Sequence, residues 1–240
     1  MASISTNKRR RTAADTLHIS DLPVGFIVNV SAYLPKPSRS ILAVAFTSSS
    51  SSQNDDLMHR LSPISTAIIS AYQWDTLDFE DVEKELANKL TDNDISAVLK
   101  RSINAHDMLK RLKLCGCINI IGHGLKPLQR STVLELIDIS LIGRHDNPSI
   151  HMKSNISEED TVPILDSIIS SDGCSLKYIQ FPQKWKYISR ETHPIAELKT
   201  RYNQQLNHRG FGCSKCNRNM NAQEWLNTVC WLIPASAMTA

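Results

Sequence analysis

The sequence predicts an α/β fold, a short solenoid of alternating strand and helix preceded by a hairpin of helices, and three observations carry that expectation. An apolar triad spaced i, i+3, i+5 occurs as Trp74-Leu77-Phe79, Leu109-Leu112-Leu114, Leu134-Ile137-Ile139 and Leu176-Ile179-Phe181, with starts 35, 25 and 42 residues apart. Asp78, Lys113, Asp138 and Gln180 fall between its last two members, so each triad ends in a short strand with one buried face. Helical text lies between the triads, over 81–90, 94–103, more weakly around 125–128, and over 157–169 with Glu158 and Glu159 in the first turn. Finally, the 240 residues are 41% hydrophobic but only 6% aromatic, which suits one aliphatic core better than an aromatic-lined cofactor cavity.

Taken in order, residues 1–17 are polar and without apolar periodicity, and read as a disordered arm. Lys8-Arg9-Arg10-Arg11 within it is either a nuclear-import signal or a solvated tail. Residues 18–46 form the hairpin. Asp21 is its expected N-cap, Pro23 sits at or near the first helical position, and Ile27, Val30 and Leu34 share a face. Pro35 and Pro37 end that helix, and Ser38 is expected to cap a second one over Ile41 to Phe46. So small a hairpin must pack against something else. The Ser-rich stretch 47–56 reads as a linker and 57–182 as the repeat region, with insertions in the two longer connections, one around 146–155. In 183–240, Ile195, Leu198, Tyr202 and Leu206 have the spacing of a helix that caps the last repeat. The apolar tail from Trp225 either docks on the body or is an interaction segment.

Charge excludes some partners. The net charge is +3, and the surplus lies in the first twenty residues, so a broad nucleic-acid-binding face is not expected. No run approaches the about 18 apolar residues of a membrane span, and the start lacks a signal-peptide core. A cytoplasmic or nuclear protein with reduced cysteines is the expectation.

The most complete repeat is LKRLKLCGCINIIGHGLKPL, with Leu109, Leu112, Leu114, Cys117, Ile120, Gly124, Leu125 and Leu128 in the pattern of a Cys-containing leucine-rich repeat. Together with Leu22-Pro23, Ile27, Val30, Tyr33, Leu34 and Pro35, which are similar to the opening helix of an F-box, it makes the chain resemble the F-box/leucine-rich-repeat family. The family's F-box continues through three helices and ends near a Cys or Arg followed by Trp, where this chain has its serine run. The resemblance implies a non-catalytic substrate receptor of a cullin-RING ubiquitin ligase. Leu22, Pro23, Ile27, Val30, Leu34 and Pro35 would dock on a Skp-family adaptor, and the leucine-rich-repeat solenoid would hold a target protein. The alternative is a repeat scaffold with no ligase role, its N-terminal helices serving as the solenoid cap.

Other candidates for chemistry have plainer readings. Cys213 and Cys216, with His208 and Cys230, are the metal candidates, but a lone CxxC without a second close pair reads as unligated thiols. Were they a zinc module, Arg209, Lys215 and Arg218 would help it bind nucleic acid. Cys115 and Cys117 belong to the repeat, where Cys117 packs inside a turn and its thiol donates weakly to carbonyls. His123 reads as a solvent-facing turn residue, since no GxSxG elbow or GKS/GKT ending surrounds it. Glu158-Glu159 and Asp55-Asp56 are helix-start and linker charges. The expectation is a chain that is not an enzyme and that carries no cofactor and no metal.

Overall fold

Each apolar triad sits on an extended segment, and in the computed structural model these segments become four strands of three residues each. The structure describes residues 19, 22–46, 62–70, 72–143, 154–186, 188 and 193–208. The arm 1–17, Asp21, the linker 47–56, most of 146–155, and everything from 209 lie outside the described residues. Cys213, Cys216, Cys230, Arg209, Lys215, Arg218 and the apolar tail therefore do too, and His208 is described only as the end of a helix.

The chain begins with α1 (Val24–Ser31), α2 (Lys36–Ala45) and α3 (Pro63–Ser70). Two details differ from the sequence expectation. The N-cap of α1 is Pro23, next to the first helical position as expected, in the place assigned to Asp21, and Pro35 is the N-cap of α2, which puts Ser38 inside α2 rather than at its start. The reason is proline's fixed φ, which suits the entry of a helix, so Pro35 and Pro37 open α2 and the first helix has already ended at Ser31. The third helix was not expected. Ile68 of α3 packs with Ile27 and Ala43 in a small apolar cluster, and Ser65 stays buried by donating to the Ala43 carbonyl at 2.8 Å.

Strands β1 (Thr76–Asp78), β2 (Arg111–Lys113), β3 (Leu136–Asp138) and β4 (Tyr178–Gln180) form one parallel sheet in chain order. Their register aligns Leu77, Leu112, Ile137 and Ile179 in a single row. No triad residue is more than 3% exposed. Because parallel strands cannot be joined by a hairpin, every connection crosses over through helical turns. After β1 a 3-10 turn, Phe79–Asp81, is capped by the Asp78 carboxylate, and the backbone is extended at Val82. This splits the helix expected over 81–90, leaving α4 as Lys84–Ala87. Helix α5 (Asp92–Ala97) starts where Asp94 accepts hydrogen bonds from both the N–H and the hydroxyl of Thr91, and runs on into a π turn, Val98–Ser102. Helix α6 (Ala105–Met108) leads into β2, a 3-10 turn (His123–Leu128) follows β2, and α7 (Glu158–Ile169) precedes β4.

Between these turns the Asp92 carboxylate reaches forward to accept three backbone N–H groups, from Ile121 at 2.7 Å, Gly122 at 2.9 Å and Gly124 at 2.6 Å. Both glycines are required by this approach. A Cβ on Gly124 would stand 2.8 Å from the Asp92 carbonyl oxygen, and Gly122 has φ +129° with Thr161 Oγ1 occupying the place of its Cβ.

The far end of the core is covered by α8 (Gln183–Lys186) and α9 (Pro194–His208), the latter against α7. Ile195, Leu198, Tyr202 and Leu206 are buried, and the Tyr202 hydroxyl donates to the Lys177 carbonyl at 2.6 Å. At the near end, Ile41 and Val44 of α2 pack on the same main core, so the three helices and the sheet share a boundary.

Candidate functional site

Alternation along the strands places two rows on the outer face of the sheet. One is Thr76, Arg111, Leu136, Tyr178 and the other Asp78, Lys113, Asp138, Gln180, each aligned by register. Cross-strand contacts link the second row: Lys113 Nζ donates to Asp78 at 2.8 Å, and Gln180 donates to the Ser140 hydroxyl at 3.2 Å. Ser140 in turn donates to Asp138 Oδ1, from its N–H at 2.9 Å and its hydroxyl at 2.7 Å.

Where the strands finish, ligand atoms of Asp78, Glu80 and Cys115 lie within 4.8 Å of one another. Two of the three are already engaged by other groups. Burial, with the charges of Asp138, Asp78 and Glu80 behind it, holds the Cys115 thiol protonated well above the ordinary thiol range, and the Lys113 ammonium already supplies a cation to Asp78. The Cys115 thiol instead donates to the Ile142 carbonyl at 3.5 Å, and Cys117, pushed up to about 12 by burial, donates to the Cys115 carbonyl at 3.7 Å. Thiols this protonated are poor nucleophiles.

Asp138 is the titratable group of this face. Burial raises its pKa to about 6, against the Ser140 hydrogen bonds and the Lys113 charge that lower it and the Asp78 charge that adds to the rise. The ordinary carboxyl value is 3.8, so folding strengthens proton binding here. The folded state therefore gains most below that value and loses this contribution as the pH rises through about 6. Asp138→Asn keeps an acceptor for Ser140 and removes the titration. Between about pH 4 and pH 7 wild type should lose roughly 1–3 kcal/mol relative to this variant. Urea unfolding of both proteins at the two pH values measures it, and an unchanged difference refutes it.

The six residues expected to meet an adaptor separate into three groups. Pro23, Val30 and Pro35 are exposed, Leu22 and Leu34 are half-buried, and Ile27 is buried in the small cluster with Ala43 and Ile68. Ile27 thus supports the surface from behind and does not form it. Ile27 and Val30 lie about 60° apart around the helix, enough to put them on opposite sides of the buried boundary. The outward stripe is Phe26, Val30 and Tyr33, which are 55%, 46% and 90% exposed. Their i, i+4, i+7 spacing is the signal in the sequence that points to Phe26.

Three of the described histidines lie beside carboxylates: His123 Nδ1 is 3.2 Å from Asp160, His193 Nε2 3.3 Å from Glu158, and His106 Nδ1 2.6 Å from Asp107. Among the described residues no helix is long and apolar enough to cross a membrane. Comparison with protein-family models, with curated proteins and with solved structures finds no match to this chain.

Proposed function

We propose that the chain is a non-catalytic protein-interaction subunit, an F-box-type substrate receptor that links a target protein to a Skp/cullin ubiquitin ligase. The observation that carries this reading is the set of exposed apolar side chains Phe26 and Val30 on α1 and Tyr33 in the turn after it, held out to solvent by a three-helix unit that has its own small core. Several large apolar side chains left exposed close together in sequence favour a protein partner. Beside it, the parallel ladder of β1 to β4 is read as a short, degenerate leucine-rich-repeat stack whose outer face meets the target.

The test is a pull-down of the full chain with a purified Skp-family adaptor. The variant to use is Val30→Asp with Tyr33→Asp, because both side chains are exposed and the fold does not depend on them. Changing Ile27 would confuse binding with folding. Wild type should bind, and the double variant should bind at least about tenfold more weakly, as expected when charges replace an apolar anchor. Equal binding, or none by wild type, overturns the reading.

A second reading has its own observation. Ile41 and Val44 of α2 pack on the main core, which favours the N-terminal helices as a cap on a scaffold with no ligase role. Removal of 18–46 would expose that core under either reading, so the adaptor pull-down alone separates them.

A further inference from the structure

The outer face of the sheet carries several charges, and most of them are already matched. Asp75, just before β1, is met by Lys36 at 3.1 Å; Glu135, before β3, by Lys177 at 3.2 Å; and Asp78 by Lys113 at 2.8 Å. Two cations on β2 and the residue before it stand apart from this pattern. Among the described residues, the side chains of Lys110 and Arg111 take part in no hydrogen bond or ion pair, and Asp75 and Glu135 on the flanking segments are already engaged by Lys36 and Lys177.

Their backbone is fixed on both sides. The N–H groups of Lys110 and Arg111 both donate to the Asp75 carbonyl, at 2.8 and 3.0 Å, while the Lys110 carbonyl accepts from Glu135 and Leu136 at 2.7 and 3.0 Å. Arg111 is half-buried, and its register partners are Thr76 and Leu136, neither of which can neutralise a guanidinium. Leu136 is 9% exposed and aligns in turn with Tyr178. A cation on a fixed backbone, with Tyr178 two strands away in the same row, is complementary to a chain that alternates acidic and apolar side chains. The guanidinium's planar fork matches the paired oxygens of a carboxylate or a phosphate.

We propose that this face binds an acidic segment of the target protein, with a carboxylate or phosphate of that segment seated on Arg111 and an apolar residue of it against the half-buried Tyr178. The inference rests on the reading of the sheet as the target-binding surface and names the chemistry that this surface selects.

The experiment measures fluorescence anisotropy of the full chain with a fluorescein-labelled peptide of alternating glutamate and leucine. Two further peptides replace glutamate by phosphoserine or by lysine. The acidic peptides should bind, the tighter of the two identifying carboxylate or phosphate as the group recognised, and added salt should weaken them. Arg111→Glu should weaken both about tenfold or more, and Arg111→Lys less, because an ammonium keeps the charge and loses the fork. Arg111→Gln provides the same comparison without charge reversal, with a thermal melt of each variant verifying the fold. Equal binding by wild type and the Arg111 variants overturns the proposal. So does binding of the lysine peptide as tightly as the acidic ones, failure of either acidic peptide to bind, or stronger displacement of the peptide by a single-stranded oligonucleotide. The adaptor pull-down reads α1 and leaves Lys110 and Arg111 untouched. Loss of adaptor binding with Arg111-dependent peptide binding intact would overturn the ligase reading alone; the reverse would overturn this inference alone.

Discussion

Arg39→Ala should lower the free energy of unfolding by about 3–5 kcal/mol, as the loss of a buried, hydrogen-bonded cation does. Arg39 is 6% exposed, and its guanidinium donates to three carbonyls at the end of α1 and the turn beyond it: Ser31 at 2.8 Å, Ala32 at 3.0 Å and Leu34 at 2.7 Å. Its other side lies 3.4 Å from the centre of the Tyr72 ring. Tyr72 meets Trp74 edge to face at 6.4 Å, and the Trp74 indole donates to the Ile69 carbonyl at 2.8 Å. One side chain thus terminates α1, supplies donors to carbonyls that helix geometry leaves over, and fixes the helical unit to the segment entering β1. Arg39→Lys should recover little, since a single ammonium cannot span three carbonyls and stack on the ring. Chemical denaturation of both variants measures the effect, and a loss below about 1 kcal/mol would show that solvent replaces these contacts.

Asp92→Ala should cost a similar amount, about 3–5 kcal/mol, because three charge-assisted hydrogen bonds vanish together. The N–H groups of Ile121, Gly122 and Gly124 lose their acceptor, and no other carboxylate side chain reaches these amides among the described residues. Asp92→Asn should cost less, since one amide oxygen still accepts from part of the set. Thermal and urea unfolding of the two variants gives the order, and an alanine variant as stable as wild type would remove Asp92 from any supporting role. The Ile121, Gly122 and Gly124 amides should also lose hydrogen-exchange protection in Asp92→Ala before the strand amides do.

The strands were readable because burial of alternate residues writes itself into the order of apolar and polar letters, as Leu77 and Phe79 around Asp78 illustrate. The short helices were less readable. A four-residue turn such as α4 depends on what the backbone does at Val82, where tertiary packing outweighs propensity. Helix α3 escaped notice because its serines look like a continuation of the polar stretch before it, and only the Ala43 carbonyl makes Ser65 an interior residue. Along α1, periodicity identifies the helix but not which side faces the small core, and one residue separates the buried Ile27 from the exposed Phe26. The uncommitted charge of Arg111 had no signal in composition at all. Counting cations and anions over the chain gives near balance, and only the pairing of Lys36, Lys113 and Lys177 across separate elements isolates it.

The thiols of Cys115 and Cys117 lie in the turn that follows β2, screened from water and held in the protonated form. Alkylating reagents attack the thiolate, so in the native protein these two sulfurs are silent, and they become reactive only when the turn comes apart. The molecule therefore carries its own stopwatch at the centre of the sheet. The rate at which an alkylating reagent modifies this pair follows the opening of the strand stack, with no residue substituted to report it.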